Sequence, residues 1–410
     1  MNNTKKLGLN GLGRIGKLTL WNQFSVGYFD EYVINVGRET GTRLEDLIDF
    51  LLTDSTYGSL DRFLFGYTGK SCPVEIVDRE AGIFTIAGIP VRALMADRNP
   101  KDIQWAQHGV EVVVDCTGVF LDPTKDAADA KGSVRGHIAA GAKKVVVSAP
   151  FKIGGGLSNM PDDSAMIVYG INEDTYDPAK HEVISAASCT TTALSHMMKP
   201  LLDCKETANI LTASMSTIHA ATNNQSILDK TPGKGASDLR RNRSALNNII
   251  VTSTGAAKAL EVVLPQMKGI GFMADSVRIP TNTVSLVTLN LTFRSGMTEE
   301  GQPNIDADFI NNLYKEAADK QKNNLIIFSD KQNVSSDFRG FKASVVIEGF
   351  ETSTKTEFMP LPKQLLFECD MAGDLNLPVT HAKIFGWYDN EFGNYVNSLA
   401  HLIQHVHETL

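Results

Sequence analysis

The sequence predicts an α/β protein organised on a doubly wound parallel sheet, with a second domain after it. Three observations predict this. The first apolar segment after Lys6 runs straight into a Gly-x-Gly-x-x-Gly turn and a helix start. Val110–Asp115 and Lys144–Val147 are continuous β-branched runs, as expected of strands buried on both faces of a parallel sheet. At 410 residues the chain exceeds what one core usually serves, so two domains are expected.

In the opening turn, Gly11 permits the tight bend, Gly13 lets backbone approach a pyrophosphate, and Gly16 lets helix and strand pack closely. The phosphate then lies on the helix N-terminus. A second apolar strand follows at Tyr32–Val36. An acidic residue at its end would bind the ribose hydroxyls of NAD, but Val36 stands there, followed by Gly37-Arg38-Glu39. Without that carboxylate a 2′-phosphate meets no repulsion, and Arg38 can pair with it. Alternatively, Glu39 reaches the ribose and NAD stays preferred. NAD is placed slightly ahead of NADP, and both stay open.

Residues 43–57 read as helical, and Cys72–Val91 as short strands with turn glycines. Asp97-Arg98-Asn99-Pro100 begins a loop and short helix. The two β-branched runs end in Cys116-Thr117-Gly118 and Ser148-Ala149-Pro150; ligands of doubly wound sheets sit at such strand ends, beside Thr117, Gly118 and Ser148. Phe151–Ser164 reads as an exposed loop, its Gly154-Gly155-Gly156 lacking the Lys-Ser/Thr partner of a phosphate loop.

Ser188-Cys189-Thr190-Thr191 precedes a helical stripe of Ala193, Leu194, Met197, Met198, Leu201 and Leu202. Ser188 and the threonines are good capping residues, so Cys189 is expected at a helix start, where dipole and free N–H groups favour a thiolate nucleophile. The plain alternative is a buried structural cysteine. Downstream, Ile210–Ile218 alternates as a strand and delivers His219. Thr252-Ser-Thr-Gly-Ala-Ala-Lys258 opens another helix, with an anion site beside Thr254 and Gly255. Val284–Arg294 reads as a strand, 304–320 as an amphipathic helix, and Gly386–Gly393 leads into a final helix.

Apolar content of 42% and charged content of 21% describe an ordinary globular chain with ample core. A net charge of −8 argues against a nucleic-acid or acidic-membrane surface, and no apolar run approaches spanning length. Five cysteines without paired spacing indicate neither a disulfide framework nor a zinc site. No metal is expected, and His401, His405 and His407 read as an exposed helix end. With no secretory signal segment, the expected location is the cytoplasm.

These landmarks together resemble the phosphorylating glyceraldehyde-3-phosphate dehydrogenase family. The matching stretches are Asn10-Gly-Leu-Gly-Arg-Ile-Gly16, Ser188-Cys-Thr-Thr191, His219-Ala-x-Thr222, Asp238-Leu-Arg-Arg241, Thr252-Ser-Thr-Gly-Ala-Ala-Lys258, Arg278-Ile-Pro280 and Trp387-Tyr-Asp-Asn-Glu-Phe-Gly393, in the family's order. The resemblance implies an α/β fold: a Rossmann-type doubly wound parallel sheet plus an α+β catalytic domain with a mixed or antiparallel sheet. It places the dinucleotide-binding domain at 1–188 with 390–410, and the catalytic domain at 189–389. It implies an NAD(P)-dependent oxidation of glyceraldehyde 3-phosphate to an acyl phosphate through a cysteine thioester, with Cys189 as nucleophile and His219 as base. Thr222 and Arg278 would hold the substrate phosphate, and Ser188, Thr190, Thr254 and Gly255 the attacking phosphate. Asn10, Gly11, Gly13, Arg14, Ile15, Gly16, Arg38, Arg98, Thr117, Gly118, Ser148 and Asn390 would bind the cofactor. A homotetramer is also implied, with residues from about Ala221 to Arg243 at its centre.

The sequence departs from the family at several points: Val36, Thr192 and Ala193 after Ser-Cys-Thr-Thr, Asn224, Asn394, and longer segments at 151–165 and 353–383. Three readings therefore stand. The first is glyceraldehyde 3-phosphate as substrate. The second is a relative using another phosphorylated aldehyde, such as erythrose 4-phosphate, or water as acceptor. The third is a binding paralogue without catalysis, against which the joint presence of Cys189, His219, Thr222, Arg278 and Asn390 argues.

Overall fold

Strand and helix alternate from the start of the chain in the computed structural model, which describes residues 4–321, 323–361 and 375–410. Cys369, Pro362 and the middle of the 353–383 segment lie outside the described residues. The chain divides into two units, Met1–Thr192 with Glu391–Leu410, and Ala193–Asn390.

The first unit runs β1 (Lys6–Asn10), α1 (Arg14–Val26), β2 (Glu31–Asn35), α2 (Leu44–Leu52), β3 (Thr53–Asp54), β4 (Gly58–Ser59), α3 (Leu60–Phe65), β5 (Val74–Asp78), β6 (Ile83–Ile86), β7 (Ile89–Leu94), β8 (Val112–Asp115), α4 (Arg135–Ala139), β9 (Lys144–Val147), β10 (Ser164–Met166) and β11 (Val183–Ser185). Its sheet has the order β10-β11-β9-β8-β1-β2-β7-β6-β5, parallel from β10 to β7, with β6 and β5 added antiparallel at one edge.

Alternate residues of the β-branched strands feed two cores. Leu7, Leu9, Val112, Val114 and Val146 face Leu18, Trp21, Leu402, Ile403 and Val406. Val113, Val145 and Val147 face Trp105, Val134 and Ala140. Burial on both faces is why these strands lack polar alternation. The chain's last helix therefore belongs to the first unit, whereas the helix expected over 43–57 is shorter. It stops at Leu52 because β3 and β4 pair across a tight turn that places Gly58 at φ +87°.

Helix α5 (Cys189–Asp203) carries the chain past Thr192, the last residue of the first unit before its C-terminal part. The second unit continues with β12 (Ile210–Ala220), β13 (Ile250–Thr252), α6 (Ala256–Val263), β14 (Gly271–Ile279), β15 (Ser285–Arg294), α7 (Ala307–Lys320), β16 (Ile326–Ser329), β17 (Val345–Glu348), β18 (Ser353–Leu361) and β19 (Leu375–Tyr388). Its sheet is mixed, in the order β13-β14-β12-β15-β19-β17-β16, and β18 also pairs with β19. The strand expected over Val284–Arg294 is β15, which alternates as the sequence predicts, with Val287, Leu289, Leu291 and Phe293 fully buried. The ends of the long 353–383 segment add register to the sheet, from Ser353↔Lys383 to Leu361↔Leu375.

After β19, a π-helical turn over Phe392–Val396 leads into α8 (Asn397–Glu408). Among the described residues no helix is long and apolar enough to cross a membrane.

Candidate active site

The glycine turn of the first unit has the geometry its spacing predicts. Gly11 sits at φ +92°, a conformation that disfavours side chains. A Cβ on Gly16 would lie 2.0 Å from the Gly11 carbonyl oxygen, so helix and strand approach as only glycine permits. A Cβ on Gly13, by contrast, would meet nothing within 4 Å, which leaves room there for a ligand.

Beside the turn lies a cavity of about 520 Å³ lined by Asn10, Gly11, Asn35, Val36, Gly37, Arg38, Arg98, Thr117 and Lys131, among others. It occupies the carboxyl ends of β1, β2 and β8, where the chain steps from one side of β1 to the other. That switch point is where doubly wound sheets bind nucleotides.

A buried polar chain leads to Asn10, Asn35 and Thr117 of the cavity lining. Trp105 Nε1 donates to His137 Nδ1 at 2.9 Å, which leaves His137 Nε2 to donate to Asp115 Oδ2 at 3.0 Å. Asn10 Nδ2 also donates to Asp115 Oδ2, and Asn35 Nδ2 donates to Asn10 Oδ1, each at 2.8 Å. The second Asp115 oxygen accepts from the backbone N–H and hydroxyl of Thr117. Asn35 Oδ1 is buried without a partner, an acceptor suited to a ribose hydroxyl. Room, switch-point position and acceptor together fit a dinucleotide.

Of the other cofactor candidates, Gly13 caps α1, which Arg14, Ile15 and Gly16 begin, while Gly118 and Ser148 follow β8 and β9. The Arg14 side chain is committed elsewhere, donating to Glu391 and Asp54. Burial works against its charge, yet hydrogen bonds and charge from those two carboxylates outweigh it and raise its pKa.

The nucleophile candidate occupies the place its context predicts. Cys189 is the first residue of α5, and Ser188 Oγ accepts from the Thr191 backbone N–H at 3.1 Å. Ala187, fully buried, takes φ +54°, a strained value for a residue with a Cβ. The Tyr395 hydroxyl, from the π-helical turn, donates to the Ala187 carbonyl at 3.1 Å and braces that bend. Burial, then the charges of Cys189 and Cys116, push the Tyr395 pKa well up, which keeps it a donor. Burial also drives the Cys116 thiol up to about 12, so that neighbouring sulfur is inert at neutral pH. Thr190 is buried in the first turn of α5, and Asn394 lies fully buried in the π-helical turn.

In the second unit, β12 and β14 pair in parallel with His219 directly opposite Arg278. Arg278 Nη1 reaches His219 Nδ1 at 2.5 Å and donates to the Ala220 carbonyl at 3.1 Å. Burial first, then the Arg278 charge, lower the His219 pKa from 6.5 to about 3, so the ring is neutral at ordinary pH. Its ring meets Tyr388 edge-on at 6.0 Å, and the Tyr388 hydroxyl lies 2.7 Å from Thr217 Oγ1. Ala220 N–H donates to Ser285 Oγ, which donates to Asn390 Oδ1, each at 3.0 Å. Thr222 gives both its N–H and its hydroxyl to Gln225 Oε1. Thr254 and Gly255 lead α6, where Thr254 Oγ1 accepts from Ala256 N–H and Gly255 is the cap residue.

Sequence reasoning did not single out Gln225, Ser285, Tyr388, Asp115, His137 or Lys131. Two of them carry a local signal: Asp115, an acid closing a run of buried valines, and Tyr388, inside the Trp387-Tyr-Asp-Asn-Glu-Phe-Gly393 stretch. Among the described residues no group of three or more His, Cys, Asp or Glu side chains is placed to hold a metal ion.

A family model described as "Glyceraldehyde 3-phosphate dehydrogenase, NAD binding domain" matches residues 5–123, and its C-terminal-domain counterpart matches 188–390. The chain belongs to the glyceraldehyde-3-phosphate dehydrogenase family. It is similar to glyceraldehyde-3-phosphate dehydrogenase of Priestia megaterium and to glyceraldehyde-3-phosphate dehydrogenase 1 of Bacillus subtilis, each 35% identical over 401 residues and 98% of both chains. It is 34% identical to the Geobacillus stearothermophilus enzyme over 392 residues, 95% of this chain and 94% of that one. Membership makes the chain an oxidoreductase with an NAD(P)-binding domain and a catalytic domain. Family fold and observed architecture coincide: a doubly wound sheet and a mixed sheet.

Proposed function

We propose that the protein oxidises a phosphorylated aldehyde, glyceraldehyde 3-phosphate, and conserves the oxidation as an acyl phosphate. The observation that carries this reading is Cys189 as first residue of α5, under the Ser188 cap and after the strained Ala187. Helix-start N–H groups favour negative charge, both on sulfur and on an oxyanion formed at the carbon it attacks.

In the proposed reaction Cys189 Sγ forms a bond to the aldehyde carbon, giving a hemithioacetal. His219, neutral at working pH, takes the hydroxyl proton as that carbon is oxidised to a thioester. When bound, NAD(P) supplies the hydride acceptor for this oxidation. A phosphate oxygen then attacks the thioester, the C–S bond breaks, and sulfur leaves as thiolate with the acyl phosphate as product. Thr222 and Arg278 would hold the substrate phosphate, while Ser188, Thr190, Thr254 and Gly255 would receive the attacking phosphate. Those groups are hydroxyls, helix-start amides and one guanidinium, which suit a phosphate dianion. Asn390, oriented by Ser285, would fix the carboxamide.

Self-association into a homotetramer is part of the same proposal. Ile227, Leu228, Leu239, Leu246, Ile249 and Met273 are all more than half exposed, an apolar surface that further copies would cover. A reducing cytoplasm suits thiols such as those of Cys72, Cys116 and Cys204, which form no disulfide.

The test is turnover of glyceraldehyde 3-phosphate with NAD or NADP, with and without phosphate. Reduction that requires phosphate or arsenate is the expected result. Turnover indifferent to phosphate would replace acyl phosphate by free acid as product, and turnover only with another aldehyde would move the substrate.

A further inference from the structure

We propose that the cavity at the end of β2 is a subsite for a ribose 2′-phosphate, so that the protein takes NADP in preference to NAD. The proposal rests on the dinucleotide-binding reading of the first unit. Val36, the residue after β2, lines the cavity where a carboxylate would pair with the 2′- and 3′-hydroxyls of NAD. No Asp or Glu side chain lines the cavity, whereas Arg38, Arg98 and Lys131 all do.

The positions of two of these cations are tied to the β2 turn. Gly37 takes φ +67°, and Arg98 Nε donates to its carbonyl at 3.0 Å, which fastens the Arg98 side chain to the turn that carries Arg38. A Cβ on Gly37 would press on Arg98 Cγ and the Asp97 carbonyl at 3.1 Å, so glycine is what lets the arginine close on the backbone. Lys131 belongs to the loop after β8 and reaches the same cavity from a distant part of the sequence. Among the described residues none of the three is in an ion pair, so their charge is uncompensated by the protein. A dianion is the ligand that such a set satisfies, whereas the uncharged hydroxyls of NAD would leave it unpaired. Glu39, which follows Arg38 in the chain, is exposed and absent from the lining.

The probes are adenosine 5′-monophosphate and adenosine 2′,5′-bisphosphate, titrated calorimetrically into the full chain at low and high salt. The bisphosphate is expected to bind at least about tenfold tighter, the worth of one charge-assisted contact, with the advantage shrinking as salt rises. Arg38→Ala and Lys131→Ala, both at exposed positions, should each reduce that advantage. Val36→Asp should abolish it. Equal binding of the two nucleotides, or an advantage untouched by both alanine variants, would overturn the 2′-phosphate subsite while the dinucleotide reading stands. Failure of both nucleotides and of NAD to bind would overturn the dinucleotide reading itself.

Discussion

Cys189→Ser is expected to lower turnover of the phosphorylated aldehyde by roughly 10⁴-fold or more, the scale seen when a covalent nucleophile is removed. A serine hydroxyl is a far weaker nucleophile than a thiolate, and the proposed thioester could not form on oxygen. The change is confined to one atom at the start of α5. Ser188 still caps Thr191, Tyr395 still braces Ala187, and none of the residues that line the dinucleotide cavity changes. Cofactor affinity and thermal midpoint should therefore stay close to those of the unaltered protein. Calorimetric titration of cofactor, a melting curve and a rate measured on the same sample check this. Turnover retained in the serine variant would reject the covalent route.

His219→Gln is expected to lower turnover by about 10²- to 10⁴-fold, the usual contribution of a positioned base. It should also change how stability depends on pH. Burial, then the Arg278 charge, place the His219 pKa at about 3 in the folded protein against 6.5 ordinarily. Between those values the unfolded chain binds the proton and the folded chain does not, so stability falls as pH falls. Above 6.5 both states are neutral at this position and the term vanishes. Its slope approaches about 1.4 kcal/mol per pH unit below 6.5, and the glutamine variant should lose that slope. Denaturant melts of both proteins from pH 7 to pH 4 measure the difference. Parallel pH profiles would contradict the burial of an uncharged imidazole against Arg278.

The parts of this chain that were legible in its sequence depend on local chemistry. Glycines 11, 13 and 16 act within one turn, so their spacing alone indicated a bend, an opening and a close helix–strand contact. Unbroken valine runs marked β8 and β9 because burial on both faces removes the need for polar alternation. Ser188 and Cys189 were placed at a helix start because capping is a property of adjacent residues.

What escaped depends on register between distant strands. His219 and Arg278 are 59 residues apart and become neighbours only because β12 pairs with β14 in one particular alignment. Ser285 reaches Ala220 by the same route across β15, and nothing near Ser285 in the sequence announces it. The helix expected over 43–57 stops at Leu52 because the pairing of β3 with β4 competes for the backbone that follows. Lys131, on a loop with no motif, enters the nucleotide cavity through tertiary folding alone.

The proposed reaction requires an acyl group carried by Cys189, and intact-mass measurement observes it directly. The protein is mixed with glyceraldehyde 3-phosphate and NAD(P) in phosphate-free buffer, quenched with acid and weighed, then digested to locate the adduct. The expected result is one phosphoglyceroyl group per chain, on the peptide that holds Cys189, discharged as acyl phosphate when phosphate is added. Reduced cofactor formed without any adduct, or an adduct on Cys72, Cys116 or Cys204 instead, would contradict it.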